Sequence, residues 1–251
     1  MSPRPVNAIA VYSIPDVNPE DNIPELILHA ARETELELMN RDVLVIASKI
    51  VSKSEDRIVR ASSVEVSKQA KKIAEKNDFD PIHVEIALRE ANEVISSDGV
   101  LITETHSGLV CNFSGVDKSN APEGKYVLLP ENPDRSAERI LAMLSERTGL
   151  QLAVIISDTQ GRPWRKGSVN IAIGCAGINA YKHNKGRRDL YGRILQRSSV
   201  CQIDEIAALA EPLMGQAGGR TPVVVVRGYE YSIGEERALD INRPKSEDLF
   251  R

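Results

Sequence analysis

Cysteine is scarce in this chain: Cys111, Cys175 and Cys201 are the only three among 251 residues. Their number is odd, and no two form a Cys-x-x-Cys pair. That pattern argues against a disulfide framework and a zinc site. It is the usage expected of a reducing cytoplasm, with each thiol a small core residue. Long apolar runs are also missing. None approaches the roughly 20 residues that cross a bilayer, so no membrane is expected as a partner. Residues 1–11 lack the apolar core of a secretory signal, and without secretion the sequon Asn112-Phe113-Ser114 carries no meaning. There is no basic surplus: the formal net charge is -4. This argues against a general nucleic-acid binder and confines any basic surface to a patch. Internal repeats, low-complexity segments and a G-x-x-x-x-G-K-[ST] phosphate loop are absent as well.

What is present is an ordinary globular profile, 41% hydrophobic and 27% charged, with ample material for a core. Residues 23–39 have helical spacing, with Ile23, Leu26, Ile27, Ala30 and Ala31 on one face. Residues 43–47 read as a strand. Ser48, Lys49, Ser52 and Lys53 follow it, an anion site in kind or a plain surface lysine pair. Residues 66–77 read as a basic, exposed helix, and Pro81 opens another that runs to about Ile95. Residues 99–103 and 108–111 look like paired strands around His106, which reads as a base or, more commonly, a hydrogen-bonded structural histidine. Residues 126–129 form a short strand. Pro133 and Asp134 start a helix that Gly149 stops. Residues 203–214 are helical, with Pro212 making the end irregular. Residues 223–226 are a buried strand, and 245–251 a mobile polar tail. Helices and strands mix without a βαβ rhythm, which favours an α+β fold.

The chain is organised around residues 152–174. An apolar strand gives way to Ser157, Asp158, Thr159 and Gln160; Gly161 and Pro163 break regular structure; Arg162, Arg165 and Lys166 add positive charge. The expected result is a loop whose carboxylate, hydroxyl, amide and cations suit a metal with an anionic ligand. A solvated hairpin loop is the plainer alternative. A second polar turn holds Asp117, Lys118 and Asn120, ordinary turn residues in themselves. Lys182, His183, Lys185, Arg187, Arg188 and Arg193 make the densest basic block, suited to a phosphorylated or carboxylated small molecule. Residues 214–221 (Met214, Gly215, Gln216, Ala217, Gly218, Gly219, Arg220, Thr221) form a glycine-rich turn whose backbone N–H groups can approach phosphates.

Taken together, the motifs resemble the coenzyme F-420-0:L-glutamate ligase family over almost the whole chain. The matching strings are I-P-D-V, V-L-V-I-A-S-K-I-V-S-K, H-S-G-L-V-C, G-V-D-K-S-N, L-L-P-E-N-P-D-R-S-A, I-I-S-D-T-Q-G-R-P-W-R-K-G, A-I-G-C-A-G-I-N-A-Y-K, K-G-R-R-D-L-Y-G-R, D-E-I-A-A-L-A and P-V-V-V-V-R-G. S-D-T-x-G-R-P-x-R and D-L-Y-G-R are the specific ones.

The resemblance implies a single catalytic unit over residues 1–251 with an α+β fold of two interlocked mixed α/β parts, in an intertwined homodimer. It implies a cytoplasmic, GTP-dependent ligase that adds L-glutamate to the lactyl carboxylate of F-420-0, then a second glutamate through a γ-linkage. Its cofactors are a divalent metal, manganese or magnesium, and potassium. The implied metal ligands are Asp117, Asp158, Thr159 and Gln216, an oxygen set suited to hard cations. The implied GTP contacts are Ile14, Pro15, Asp16, Val17, Ser48, Lys49, Lys53, Asn120 and residues 214–221. Lys53, Asp117 and Asp158 are the catalytic candidates. Arg162, Arg165, Lys166, Arg187, Arg188 and Arg193 are candidates for the precursor's phosphodiester and the glutamate carboxylates. Two departures stand out: Gln216 replaces the Glu expected in several relatives, and Cys111-Asn112-Phe113-Ser114 is bulkier than the family's Ala-rich version. Two rival readings remain open from sequence: a non-catalytic GTP- and metal-binding protein of the same fold, and a metal-dependent phosphohydrolase. A ligase with a different acceptor is also compatible.

Overall fold

The computed structural model describes residues 5–249. The expectations that fall on residues 1–4 and 250–251 lie outside them. In chain order the first elements are β1 (Asn7–Ala10), α1 (Ile23–Glu33), β2 (Val43–Ala47), α2 (Ser48–Ser54), β3 (Ile58–Arg60), α3 (Lys68–Asn77) and α4 (Pro81–Arg89). Then come β4 (Ala91–Ser97), β5 (Leu101–Thr105), β6 (Val110–Asn112), β7 (Lys125–Val127) and α5 (Pro133–Thr148). The chain continues with β8 (Ala153–Arg162), β9 (Arg165–Ala176), β10 (Tyr181–His183), β11 (Ser199–Cys201), α6 (Gln202–Met214) and β12 (Val223–Arg227).

The most apolar strands make a five-stranded sheet in the order β1-β12-β2-β8-β9. Only β2 and β8 run parallel; the other pairs are antiparallel. The fold is therefore mixed α/β. Alternation along the buried strands feeds two cores. Leu44, Ile46, Val154, Ile156, Val223 and Val225 face α1 and α5 through Ile27, Ala30, Ala137, Ile140 and Leu144. Val43, Val45, Ala153, Ile155, Val224 and Val226 face α6 through Ile203, Ile206, Ala207, Ala210 and Met214. A third core gathers Ala70, Ala74, Val84, Ile86, Ala87, Leu101, Val116, Tyr126 and Leu128. Its residues come from the stretch between α2 and α5.

Several helix limits follow from local chemistry. Asn132 Oδ1 accepts the Arg135 amide at 3.0 Å, Pro133 occupies the first turn, and Gly149 ends α5 at φ 69°. These are the favoured N-cap, N1 and C′ residues. Gly174 is required where α5 meets β9, because an added Cβ would stand 2.4 Å from the Pro133 carbonyl carbon and oxygen.

Other limits differ from the sequence expectation. The helix opened by Pro81 ends at Arg89, not near Ile95: residues 91–97 become β4, with Ala91 opposite Thr105 and Val94 opposite Thr103 of β5. The β-branched Val94 and Ile95 suit that pairing better than a helix. The first helix stops at Glu33, since Glu35 turns left-handed at φ 54°. The basic helix begins at Lys68, behind its Ser67 cap, two residues later than expected. Residues 48–54, which carry the serines and lysines read as an anion site or a surface lysine pair, form α2. The stretch expected as a loop around Asp158 is extended throughout: β8 and β9 form a long hairpin that turns only at Pro163 and Trp164. In the polar tail, Lys245–Glu247 form a 3-10 turn and Lys245 makes a 2.6 Å ion pair with Glu93.

Candidate active site at one edge of the central sheet

Strand direction gathers the polar segments. The parallel register pairs Ala47 with Ser157, so the next residues, Ser48 and Asp158, lie side by side at the strand ends. Ser48 Oγ donates to Asp158 Oδ1 at 2.6 Å. The antiparallel β12 starts at this same edge, where the Ala47 amide donates to Pro222 O at 2.8 Å. Residues 214–221 therefore arrive there too. β1 runs antiparallel to β12, with Ala10 opposite Val224, so residues 11–17 leave the sheet at this edge as well. Ligand sites in α/β sheets gather beyond the carboxyl ends of parallel strands, and β2 and β8 end here.

Asp117 reaches the site from the third core. It bridges to Val127, with N–H···O bonds of 2.9 Å in both directions. Lys49, next to Ser48 in α2, donates to Asp117 Oδ2 at 2.8 Å. Consecutive residues of α2 thus hold the two carboxylates, Ser48 on Asp158 and Lys49 on Asp117. The turn before Asp117 is unusual: Phe113, Ser114 and Gly115 have φ of 47°, 52° and 69°. Left-handed backbone is costly for non-glycine residues. A buried network offsets it. Ser114 Oγ donates to Ala87 O at 2.7 Å, and the Ser114 amide donates to Thr103 Oγ1 at 2.9 Å. His83 stacks on Phe113 at 4.3 Å, and its Nε2 lies 2.8 Å from Val116 O. Burial keeps His83 below its ordinary pKa, so the neutral ring donates this proton. This network braces the bulky Asn112-Phe113-Ser114 segment.

The two carboxylates titrate in opposite directions. Burial pushes Asp158 up to about 6, and the Asp117 charge adds to it against the opposing bonds of Ser48 and the field of Lys49. Burial also works against ionised Asp117, yet the bonds from Lys49 and Ser119 hold it below the ordinary carboxylate value. Cys111 lies in the field of Asp158; burial, with that charge, pushes its thiol up to about 12 and leaves it inert.

Thr159 and Gln216 meet on the other side of β8. Alternation puts Thr159 on the α6 face, where Thr159 Oγ1 lies 2.8 Å from Asn170 Oδ1 and 3.1 Å from Gln216 Oε1. One hydroxyl proton faces two amide oxygens, so one oxygen is in surplus. Gln216 Nε2 donates to Glu211 Oε1 at 3.0 Å, which fixes the amide orientation. The β-bulge beside Ile156 and Ser157 places its extra residue, Ile173, on β9, so β8 keeps its alternation through to Thr159. No three His, Cys, Asp or Glu side chains come together as a metal cluster among the described residues. The four implied ligands instead form two pairs, Asp117 with Asp158 and Thr159 with Gln216. Carboxylate, hydroxyl and amide oxygens with an excess of acceptors suit a hard divalent cation.

The remaining candidates are spread around this edge and beyond it. Pro15, Asp16 and Asn120 are exposed, and Asn120 turns left-handed at φ 52°. Ile14 and Val17 bury their side chains in the core, leaving only backbone to a ligand. Lys53 stands one turn after Lys49 on the same face of α2. Met214 is buried beside Ser157 and Asn170, while residues 215–220 are exposed. Arg162, Arg165 and Lys166 lie at the hairpin tip, four residues or about 13 Å beyond Asp158 at strand spacing. Arg187, Arg188 and Arg193 lie in the connection of the separate β10–β11 ribbon. Among the described residues, none of these six cations bonds to Asp117 or Asp158. His106 Nε2 lies 3.1 Å from Arg89 O, the structural alternative for that residue. Ser119 and Asn170 carry bonds of the site that sequence reasoning did not assign. A two-residue turn at Pro163-Trp164 alone would set Ser168 opposite Thr159; the register irregularity between Gln160 and Arg162 brings Asn170 there instead, so no local signal identified it.

No helix among the described residues is long and apolar enough to cross a membrane. A family model described as F420-0:Gamma-glutamyl ligase matches residues 12–228. The chain is 42% identical over 249 residues to the coenzyme F420:L-glutamate ligase of Methanothermobacter thermautotrophicus, covering 98% of this chain and 99% of the relative. The protein of the same name from Methanopyrus kandleri is 43% identical over 240 residues, 94% and 93% of the two chains. That from Archaeoglobus fulgidus is 39% identical over 246 residues, 98% and 96%. With these matches spanning the segments that converge on the sheet edge, the chain belongs to the F420-0:gamma-glutamyl ligase family.

Proposed function

We propose that the protein is a GTP-dependent ligase that joins L-glutamate to the lactyl carboxylate of F-420-0, then joins the amine of a second glutamate to the γ-carboxylate of the first. The supporting observation is the convergence of residues 11–17, Ser48, Lys49, Asp117, Asp158 and 214–221 on one sheet edge in a chain of this family. Phosphoryl transfer needs positioning and charge neutralisation more than covalent help from the protein.

In the proposed reaction the acceptor carboxylate attacks the γ-phosphorus of GTP. The bond to the β–γ bridging oxygen breaks, and GDP leaves from an acyl phosphate. The amine of glutamate then attacks the acyl carbon, phosphate departs, and the amine proton passes to solvent. Lys49 and Lys53 offset charge on the phosphates, and backbone N–H groups of residues 215–220 cradle them. Asp117 and Asp158, with Thr159 and Gln216, would hold manganese or magnesium, which when bound neutralises the β- and γ-phosphates. Potassium is a further proposed activator. Arg162, Arg165, Lys166, Arg187, Arg188 and Arg193 take the anionic groups of precursor and glutamate.

The proposal includes a cytoplasmic homodimer. Trp164 at 77% exposure, Leu190 at 92% and Tyr191 at 85% present apolar surface on two hairpins, which supports a partner there. Light scattering at twice the chain mass is the expected result.

The test of function is one reaction followed by mass spectrometry, with GTP, manganese, potassium, L-glutamate and F-420-0, and controls lacking each. A product heavier by one or two glutamyl units, formed only with GTP, is expected. GDP release without acceptor supports a phosphohydrolase instead. GTP binding without turnover supports a binding protein or a different acceptor.

A further inference from the structure

The Lys49 ammonium is fully committed. Its three protons face Asp117 Oδ2, Ser119 O and Ser119 Oγ, each at 2.8 Å. An ammonium has three donors and no more, so in this position Lys49 has none left for a phosphate. Oδ2 of Asp117 is filled as well: it accepts Lys49 and Ser119 Oγ, the latter at 2.7 Å, while Oδ1 accepts the Ser119 amide at 2.7 Å. Lys49 also lowers the charge stress on Asp158, where the Asp117 charge acts against ionisation. The lysine side chain is 22% exposed on a flexible four-carbon stem. The Lys53 ammonium, one turn along, makes no hydrogen bond or ion pair among the described residues and carries the same charge.

We propose that Lys49 is an internal counter-ion that occupies the cation position at Asp117 until a nucleotide phosphate draws it away, making metal and nucleotide binding cooperative. This rests on the reading of Asp117 as a metal ligand. A divalent cation taking Oδ2 of Asp117 must displace the ammonium, and at either oxygen a dication and the ammonium repel each other. A bound triphosphate gives Lys49 a new anionic partner at the moment its place is taken. Thermodynamic linkage makes the effect mutual: nucleotide tightens metal binding by the factor by which metal tightens nucleotide binding.

The test is Mn2+ affinity, read by electron paramagnetic resonance of the free ion, with and without the β,γ-imido analogue of GTP. In the unaltered protein the analogue is expected to tighten Mn2+ binding. Lys49→Met is expected to tighten nucleotide-free Mn2+ binding roughly three- to tenfold, since one exposed-to-half-buried ion pair no longer competes. Lys53→Met removes the same charge without freeing Asp117, and is expected to change nucleotide-free Mn2+ affinity less than about twofold. Nucleotide-free affinity in Lys49→Met at or below that of the unaltered protein overturns the proposal. An equal gain in Lys53→Met also overturns it, because the cause is then the general field. Asp117→Asn separates the two levels of the argument. Unchanged Mn2+ binding there removes the metal reading and this inference with it; lost binding there, with no gain in Lys49→Met, overturns this inference alone.

Discussion

Ser48 donates its hydroxyl proton to Asp158 across the ends of the one parallel strand pair in the central sheet, at 2.6 Å. That bond does not fully compensate the buried carboxylate, whose pKa burial raises to about 6. Asp158→Asn keeps the shape and the acceptor for Ser48 while removing the charge. It is expected to raise metal-free stability at pH 7.5 by on the order of 1–3 kcal/mol. It is also expected to abolish ligase turnover. Denaturant unfolding and the mass-spectrometric assay check the two halves; a variant that keeps full turnover sinks the metal assignment.

The same group sets a pH dependence. Its folded pKa of about 6 lies above the ordinary aspartate value of 3.8, so the native state binds this proton more tightly than the unfolded chain. Metal-free stability therefore falls as pH rises from about 4 through about 6, and this contribution is flat above that range. Mn2+ affinity rises over the same interval, because the cation competes with the proton. Unfolding free energies of the unaltered protein and Asp158→Asn, compared across pH 4.5–8, isolate the slope, as the variant lacks it.

Gln216→Glu is expected to act in opposite directions with and without metal. Gln216 donates to Glu211 at 3.0 Å, and a carboxylate there would face another carboxylate. Without metal the substitution should cost about 0.5–1 kcal/mol at this exposed position. With millimolar Mn2+ it should bind the cation more tightly and recover or exceed the parent Tm. Thermal melts with and without Mn2+ suffice; a variant with the same Tm shift on metal addition as the parent removes Gln216 from the ligand set.

The buried hydroxyls below Asp117 predict a loss at a distance. Ser114→Ala removes the bond to Ala87 O and leaves that carbonyl without its hydroxyl partner. The expected cost is about 1–3 kcal/mol. Turnover should fall with little change in KM for glutamate, because the affected turn leads to Asp117 and not to the basic hairpins. An unchanged kcat in a destabilised protein would limit this network to a structural role.

Combined alanine substitution of Arg187, Arg188 and Arg193 is expected to raise KM for the F-420-0 acceptor by about tenfold or more, one charge-assisted contact being worth about 1.5–3 kcal/mol. GTP affinity should hold, since the ribbon carrying them is separate from the sheet edge. Light scattering on the same sample separates lost substrate contact from lost association.

Legibility in the sequence followed the range of the forces involved. The α5 helix was readable to its ends because Asn132, Pro133 and Gly149 act locally. The helix after Pro81 was read too long because its stop is tertiary: Ala91 and Val94 pair with a strand that comes later in the chain. Polar residues from Ser157 on looked like a loop, yet backbone pairing to β9 continues to Arg162 whatever the side chains are. The ligand candidates were named through motif resemblance. Their division into two pairs was not, since it depends on which face of β8 each side chain takes. Asn170 and Ser119 were missed for a related reason: each looks like an ordinary polar residue until its partner across the fold is known.

The hairpin tip has a practical consequence. Trp164 is the chain's sole tryptophan and projects at 77% exposure between Arg162 and Arg165. It is an intrinsic optical reporter placed beyond the edge of the central sheet and outside all three cores. Its emission is insensitive to core packing and shifts to the blue when a second chain or a substrate covers the tip. Dilution and ligand titration can thus be followed without any label.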